Sequence, residues 1–168
     1  IKLNVTGQSQ ASRNGRVLAQ ALGGAAAALG YMASPLVRAR ETMEIIRAEL
    51  ALPRQGYRTD DRLRELDYGH WEGRRWQDLV HLDPDGTAAR LADPWNWQPA
   101  GGESYAMLSQ RVGLWLADVQ RDAVVVAHGG VSRVLRGLVL RLTAAETMRL
   151  EVPQDKVLVL ASGAVRWL

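Results

Sequence analysis

The run Ala123 to Ala127, AVVVA, constrains this chain more than any other stretch. An unbroken β-branched run predicts a strand covered on both faces, because a strand with one wet face would alternate apolar and polar residues. His128-Gly129-Gly130 follows and turns into a helical pattern of Val134, Leu135, Leu138, Val139 and Leu142. Strand, tight turn and helix in that order form the repeating unit of α/β folds. The same layout occurs earlier. Tyr31 to Ala33 is a short extended piece, and Ser34 and Pro35 stand at the N-cap and first-turn positions of a helix with the apolar stripe Leu36, Met43, Ile46 and Leu50.

The remaining elements fit around these two units. Leu18, Leu22, Ala25 and Leu29 repeat at helical spacing and predict a helix from Ser12, its cap, to Leu29, ended by Gly30. Arg54 to Leu79 and Asp83 to Gly102 carry glycines, prolines and tryptophans and read as surface excursions, a cap over about residues 54–102. A helix returns from Glu103 to near Arg121, with Leu108, Val112, Trp115, Leu116 and Val119 on one face. Lys156 to Leu160, a turn at Ser162-Gly163, and Ala164 to Leu168 read as a closing hairpin. The expected architecture is one domain over 1–168, a three-layer α/β/α sandwich with a mostly parallel central sheet.

Composition narrows the chemistry. The chain has no cysteine, which excludes disulfides, thiolate metal sites and a cysteine nucleophile within it. Twenty-one Lys and Arg against eighteen Asp and Glu leave +3, too small a surplus to mark a nucleic-acid binder, and no basic block with interleaved aromatics occurs. No apolar stretch is long enough to cross a bilayer, and no leader pattern opens the chain, so the expected compartment is the cytoplasm. Neither nucleic acid nor membrane is an expected partner, and a homodimer is a possible assembly.

Candidate chemistry follows from where the α/β units place their ends. Ligand sites in open α/β sheets lie beyond the carboxyl ends of the strands, which puts His128 at such a site. Gly129 and Gly130 let the backbone approach a ligand, and the helix behind them supplies free N–H groups suited to phosphate. Arg38, in the first turn of the second helix, stands near the same sheet edge and can grip a phosphate bidentately. Arg40, Glu41, Glu44 and Arg47 read instead as exposed pairs on a surface helix. Glu65, ahead of a glycine- and tryptophan-bearing loop, is a candidate proton donor, although Asp67 or Glu72 serves that chemistry equally well on spacing alone.

Four segments resemble the histidine phosphatase superfamily, the group that includes the phosphoglycerate mutases. SPLVRARET is similar to its SPLxRAxET segment and RLRELDYGHWEG to its RLxExxxGxWEG segment. GGES at Gly101 to Ser104 and VVVAHGGVSRVL resemble its GGES helix start and its AHGG strand-to-helix turn. The resemblance implies a phosphoglycerate mutase-like fold and a phosphohistidine mechanism with no metal or other cofactor. It carries Arg38 over as the phosphate-gripping arginine, Glu65 as the proton-donating acid, His128 as the second, electrostatic histidine and Gly129 as a backbone phosphate donor. Asn4 and Gln10, in a segment similar to the family's N-x-x-G-R-x-Q, carry over as substrate-binding residues. The implied activity is hydrolysis of a small organic phosphomonoester, which makes a small phosphorylated metabolite the expected partner. Mutase-type transfer, an isomerase activity, is the alternative.

One departure matters. The family's attacking histidine belongs to an RHGxT motif, and this sequence contains none. The sequence is also short of the family pattern between Gln10 and Ala11 and between Gly30 and Tyr31. These shortages favour omitted residues and predict breaks in the backbone at both points. The competing expectation is a non-catalytic phosphate-binding protein that has lost its nucleophile.

Overall fold

A computed structural model describes residues 1–161 and 163–168. In chain order its elements are α1 (Val5–Leu22), β1 (Gly30–Ala33), α2 (Val37–Glu49), β2 (Arg58–Thr59), α3 (Trp76–Leu82), α4 (Pro84–Ala92), α5 (Tyr105–Ala117), β3 (Ala123–Val126), α6 (Gly129–Leu140), α7 (Ala144–Arg149), β4 (Leu158–Ala161) and β5 (Ala164–Trp167). β1 lies between β2 and β3, parallel to both. β4 and β5 form a separate antiparallel pair; of the expected turn, Ser162 lies outside the described residues.

Side chains alternate along β1 and β3 and feed two cores. Tyr31, Ala33, Val124 and Val126 pack with Leu18 of α1 and with Met43 and Ile46 of α2. Met32, Val125 and Ala127 pack on the opposite face with Leu108 and Val112 of α5 and Val131 and Val134 of α6. The two-sided burial expected of AVVVA is therefore present, and the helices form layers above and below the sheet. Met43, Leu108, Val112 and Val131 have no exposed surface. Each such side chain contributes about 1.5–3 kcal/mol of burial.

Several boundaries differ from the sequence expectation. The first helix starts at Val5, because Asn4 accepts a hydrogen bond from the Gly7 N–H at 2.8 Å and caps it. Ser12 instead bonds Glu49 across the interface between α1 and α2. Gly15 permits that close crossing, since a Cβ there would lie 2.7 Å from the Glu49 Cβ. The helix ends at Gly23, whose φ of 52° suits glycine, and Gly23–Ala28 continues as a 3₁₀ segment. Gln10-Ala11 lies inside α1 and Gly30-Tyr31 inside β1.

The excursion over 54–102 is not all loop, because α3 and α4 lie within it. Asp83 starts α4 by accepting from the Gly86 N–H, with Pro84 at the first helical position. α7 was not expected, although Thr143 and Glu146 form a reciprocal capping box that its T-x-x-E pattern encodes. Nor are the charges of α2 a row of exposed pairs. Arg47 is buried, donates to the carbonyls of Pro53 and Gln55 and covers the Tyr31 ring, while Glu44 accepts from Tyr57 and Glu41 from the Leu3 N–H.

Candidate active site

The parallel register of β1 and β3 pairs Ala33 with Val126, so the residues that follow each strand emerge side by side. Ser34 continues the pairing through its N–H to the Val126 carbonyl at 2.9 Å. Its hydroxyl, fully buried, then meets His128 Nε2 at 2.7 Å. Ser34 was expected to cap α2. α2 has no side-chain cap, and the serine holds the imidazole instead.

His128 is the N-cap residue of α6 with an extended backbone, which leaves the N–H groups of Gly129 and Gly130 at the helix start without intrahelical acceptors. The Gly130 N–H donates to both carboxylate oxygens of Glu65, at 3.0 and 3.2 Å. A Cβ on residue 130 would stand 2.5 Å from Glu65 Oε1 and 3.2 Å from Leu108, so only glycine admits the carboxylate to this helix end.

His128, Gly129 and Glu65 line one cavity of about 310 Å³. Arg38 of α2 enters it from one side, His128 and Gly129 from the sheet edge, Glu65 from a loop, and Gln10, Ala11 and Asn14 of α1 form a further wall. Glu65 is the one carboxylate among the lining residues, and Arg38 pairs with no carboxylate among the described residues. Burial, with the positive charges of Arg38 and Arg111 behind it, holds the His128 pKa down at about 4. Its imidazole is neutral at neutral pH. A guanidinium, a helix N-terminus and a neutral imidazole around one carboxyl group suit a tetrahedral dianion whose departing oxygen needs a proton.

Of the residues singled out by sequence, Arg38, Glu65, His128, Gly129 and Gln10 meet in this cavity. Asn4 does not line it and caps α1 instead. Asp67 accepts from the Gly69 N–H and Glu72 from the Tyr68 N–H, and neither lines the cavity that Glu65 lines. His70 and His81 are exposed and lie outside the cavity. Sequence reasoning missed Ser34, Arg111 and Gln154. The place of Ser34 at a strand end, matching that of His128, was the available signal. Gln154 of the segment after α7 joins the cavity lining from far along the chain and left no signal. Among the described residues no group of three His, Cys, Asp or Glu is placed to hold a metal ion, and no helix is long and apolar enough to cross a membrane.

A cavity at a parallel sheet edge is where α/β proteins hold their ligands, and comparison with known proteins makes the class specific. The model of the histidine phosphatase superfamily (branch 1) matches residues 1–167, and the chain belongs to that family. Glucosyl-3-phosphoglycerate phosphatase of Mycobacterium tuberculosis (strain CDC 1551 / Oshkosh) is 34% identical over 105 residues, 52% of this chain and 45% of that protein. Adenosylcobalamin/alpha-ribazole phosphatase of Escherichia coli (strain K12) is 29% identical over 131 residues, 73% of this chain and 62% of the relative. The chain thus spans about half the length of the curated relatives it matches. A solved structure of the mycobacterial glucosyl-3-phosphoglycerate phosphatase with inorganic phosphate superimposes with a TM-score of 0.73 at 26% identity, over 99% of this chain and 84% of the other. The fold is phosphoglycerate mutase-like.

Proposed function

We propose that this protein hydrolyses the phosphomonoester of a small organic compound through a phosphohistidine, with Arg38, His128 and the N-terminus of α6 holding the phosphoryl group and Glu65 serving as the acid. The observation that supports this most is the convergence of those groups on one cavity with a single carboxylate in its lining. In the first step an imidazole nitrogen bonds to phosphorus as the ester P–O bond breaks, and Glu65 passes its proton to the departing oxygen. In the second, water attacks phosphorus, the P–N bond breaks, and Glu65 takes a proton from that water. Charge on the equatorial oxygens is met by preorganised donors, which is where most of the rate enhancement of such transfers arises. Two matched relatives are phosphatases by name, which favours hydrolysis over transfer to a second hydroxyl.

The attacking imidazole of this reading is none of His70, His81 and His128, so the reading requires a histidine beyond the three in these 168 residues. The first two lie outside the cavity, and His128 stands in the segment that resembles the family's electrostatic histidine. The absence of RHGxT from these 168 residues favours a second reading, a protein that binds phosphate and does not turn it over. Hydrolysis of p-nitrophenyl phosphate and of glycerol phosphate with EDTA present, together with calorimetric titration of inorganic phosphate, separates the two. Turnover with an acid-labile phosphoryl group on the quenched protein is the expected result. Phosphate binding without turnover establishes the second reading, and neither binding nor turnover removes both.

A further inference from the structure

Glu65 reaches the cavity from a loop in which its own Oε1 accepts the Leu66 N–H at 3.0 Å. Arg111, in the middle of α5, braces that loop from outside. Its Nε and Nη2 donate to the two oxygens of Glu103 at 2.7 and 2.8 Å, a bidentate pair with side chains only 22% and 15% exposed. The same guanidinium donates through Nη1 to the Arg62 carbonyl at 2.7 Å and through Nη2 to the Glu65 carbonyl at 3.3 Å. Glu103 itself donates its N–H to the Asp67 carbonyl at 2.7 Å, which ties the far side of the same loop. Three backbone carbonyls between residues 62 and 67 are therefore held by one arginine and its carboxylate partner. These bonds bracket the acid, whose side chain then satisfies the otherwise unpaired Gly130 N–H.

We infer that Arg111, oriented by Glu103, is the positioning residue for Glu65: it fixes the loop so that the carboxyl group stands at the helix start, without touching substrate. Planarity is what the task requires, because a guanidinium can meet a carboxylate along one edge and two carbonyls along others, whereas an ammonium cannot. The inference deepens the proposed role of Glu65, and its geometric part stands independently of turnover.

Gly130 gives the direct readout, since its amide has no helical acceptor and owes its protection to Glu65. In Arg111→Met the Gly130 amide should exchange at least about tenfold faster, matching Glu65→Ala, while Leu135 deeper in α6 stays protected. Arg62→Met, which removes a nearby arginine engaged with Asp60 and Asp118, should leave Gly130 unchanged. Wild-type protection of Gly130 in Arg111→Met, or equal loss in Arg62→Met, overturns the inference. Should Arg111→Met lose Leu135 protection as well, Glu103→Gln replaces it; the same acceleration at Gly130 is then expected, and its absence overturns the inference. On turnover, Arg111→Met should copy the leaving-group pattern of Glu65→Gln, a larger kcat loss for glycerol phosphate than for p-nitrophenyl phosphate with KM little changed, and Arg111→Lys should recover only part. A uniform loss on both substrates overturns the positioning role. An inactive wild type rejects the proposed hydrolysis alone, because Gly130 exchange still decides Arg111.

Discussion

Arg38 and His128 reach the cavity from strand ends that the sheet fixes, whereas Glu65 reaches it from a loop that side chains fix. On the first wall, four consecutive residue pairs between β1 and β3 set the register, and Ser34 and His128 follow from it. On the second, no strand or long helix carries Glu65, and its place depends on Arg111, Glu103 and the Leu66 and Gly130 amides. Register is enforced by two buried faces at once, so the binding wall resists single substitutions. The acid wall hangs on a few charge-assisted contacts, each removable by one change.

The sharpest test of that contrast is Glu65→Gln. Gln keeps an acceptor for the Gly130 N–H and loses the proton to give, so turnover on glycerol phosphate should fall by about 10²- to 10⁴-fold, the usual weight of a general acid. With p-nitrophenol as leaving group the loss should shrink, since that phenolate departs with little protonation. Equal losses for both substrates would remove the acid role. On the binding wall, Arg38→Ala should weaken inorganic phosphate by about 1.5–3 kcal/mol in calorimetry, the range for a bond to a charged group, and leave Gly130 exchange untouched. Unchanged phosphate affinity would take Arg38 out of the site, and altered exchange would show that the two walls are one.

The same contrast explains what could be read from the sequence. The two strand-to-helix units carry local signals: an apolar run, a turn and a helix start, all within about ten residues. That was enough to bring Arg38, His128 and Gly129 to one edge. Glu65 could not be separated from Asp67 and Glu72 by local signals, because the choice rests on carbonyl contacts to Arg111, more than forty positions away. Asn4 was misplaced for the opposite reason: an Asn before a polar helical stretch is also a cap, and the cap won. The helix of the excursion that starts at Pro84 and the α7 capping box were legible in principle, through Asp83-Pro84 and through Thr143 with Glu146, and were hidden by a reading weighted toward apolar stripes.

A pH measurement probes the binding wall without any substrate. His128 has an ordinary pKa of 6.5 and is held at about 4 in the fold by burial and by Arg38 and Arg111. Above pH 6.5 the imidazole is neutral folded or unfolded, and stability is full. As pH falls from 6.5 toward 4, the unfolded chain takes a proton that the folded chain refuses, so stability declines, and below about 4 this group adds no further loss. With allowance for solvent at a half-buried ring, the decline should be about 1–2 kcal/mol in urea unfolding between pH 7 and pH 4. His128→Gln should abolish that increment, and Glu65→Gln should leave it. A slope that survives His128→Gln belongs to another group.

The smallest effect is expected where an ion pair only borders the cavity. Arg13 of α1 meets Asp155 at 3.1 Å, next to the Gln154 that lines the site, but both side chains are about half exposed, at 53% and 48%. Water competes for both charges and salt screens what remains, so Asp155→Asn should cost less than about 0.5 kcal/mol and leave phosphate affinity unchanged. Glu103→Gln, which removes one charge from the largely buried pair with Arg111, should cost about 1.5–3 kcal/mol because the guanidinium then stays desolvated without its counter-charge. Urea unfolding of the two variants side by side at low and high salt reads the difference. If Asp155→Asn proves as costly as Glu103→Gln, the rim at residues 150–155 is as structural as the acid wall, and the cavity has three walls of consequence where the contrast drawn from its geometry has two.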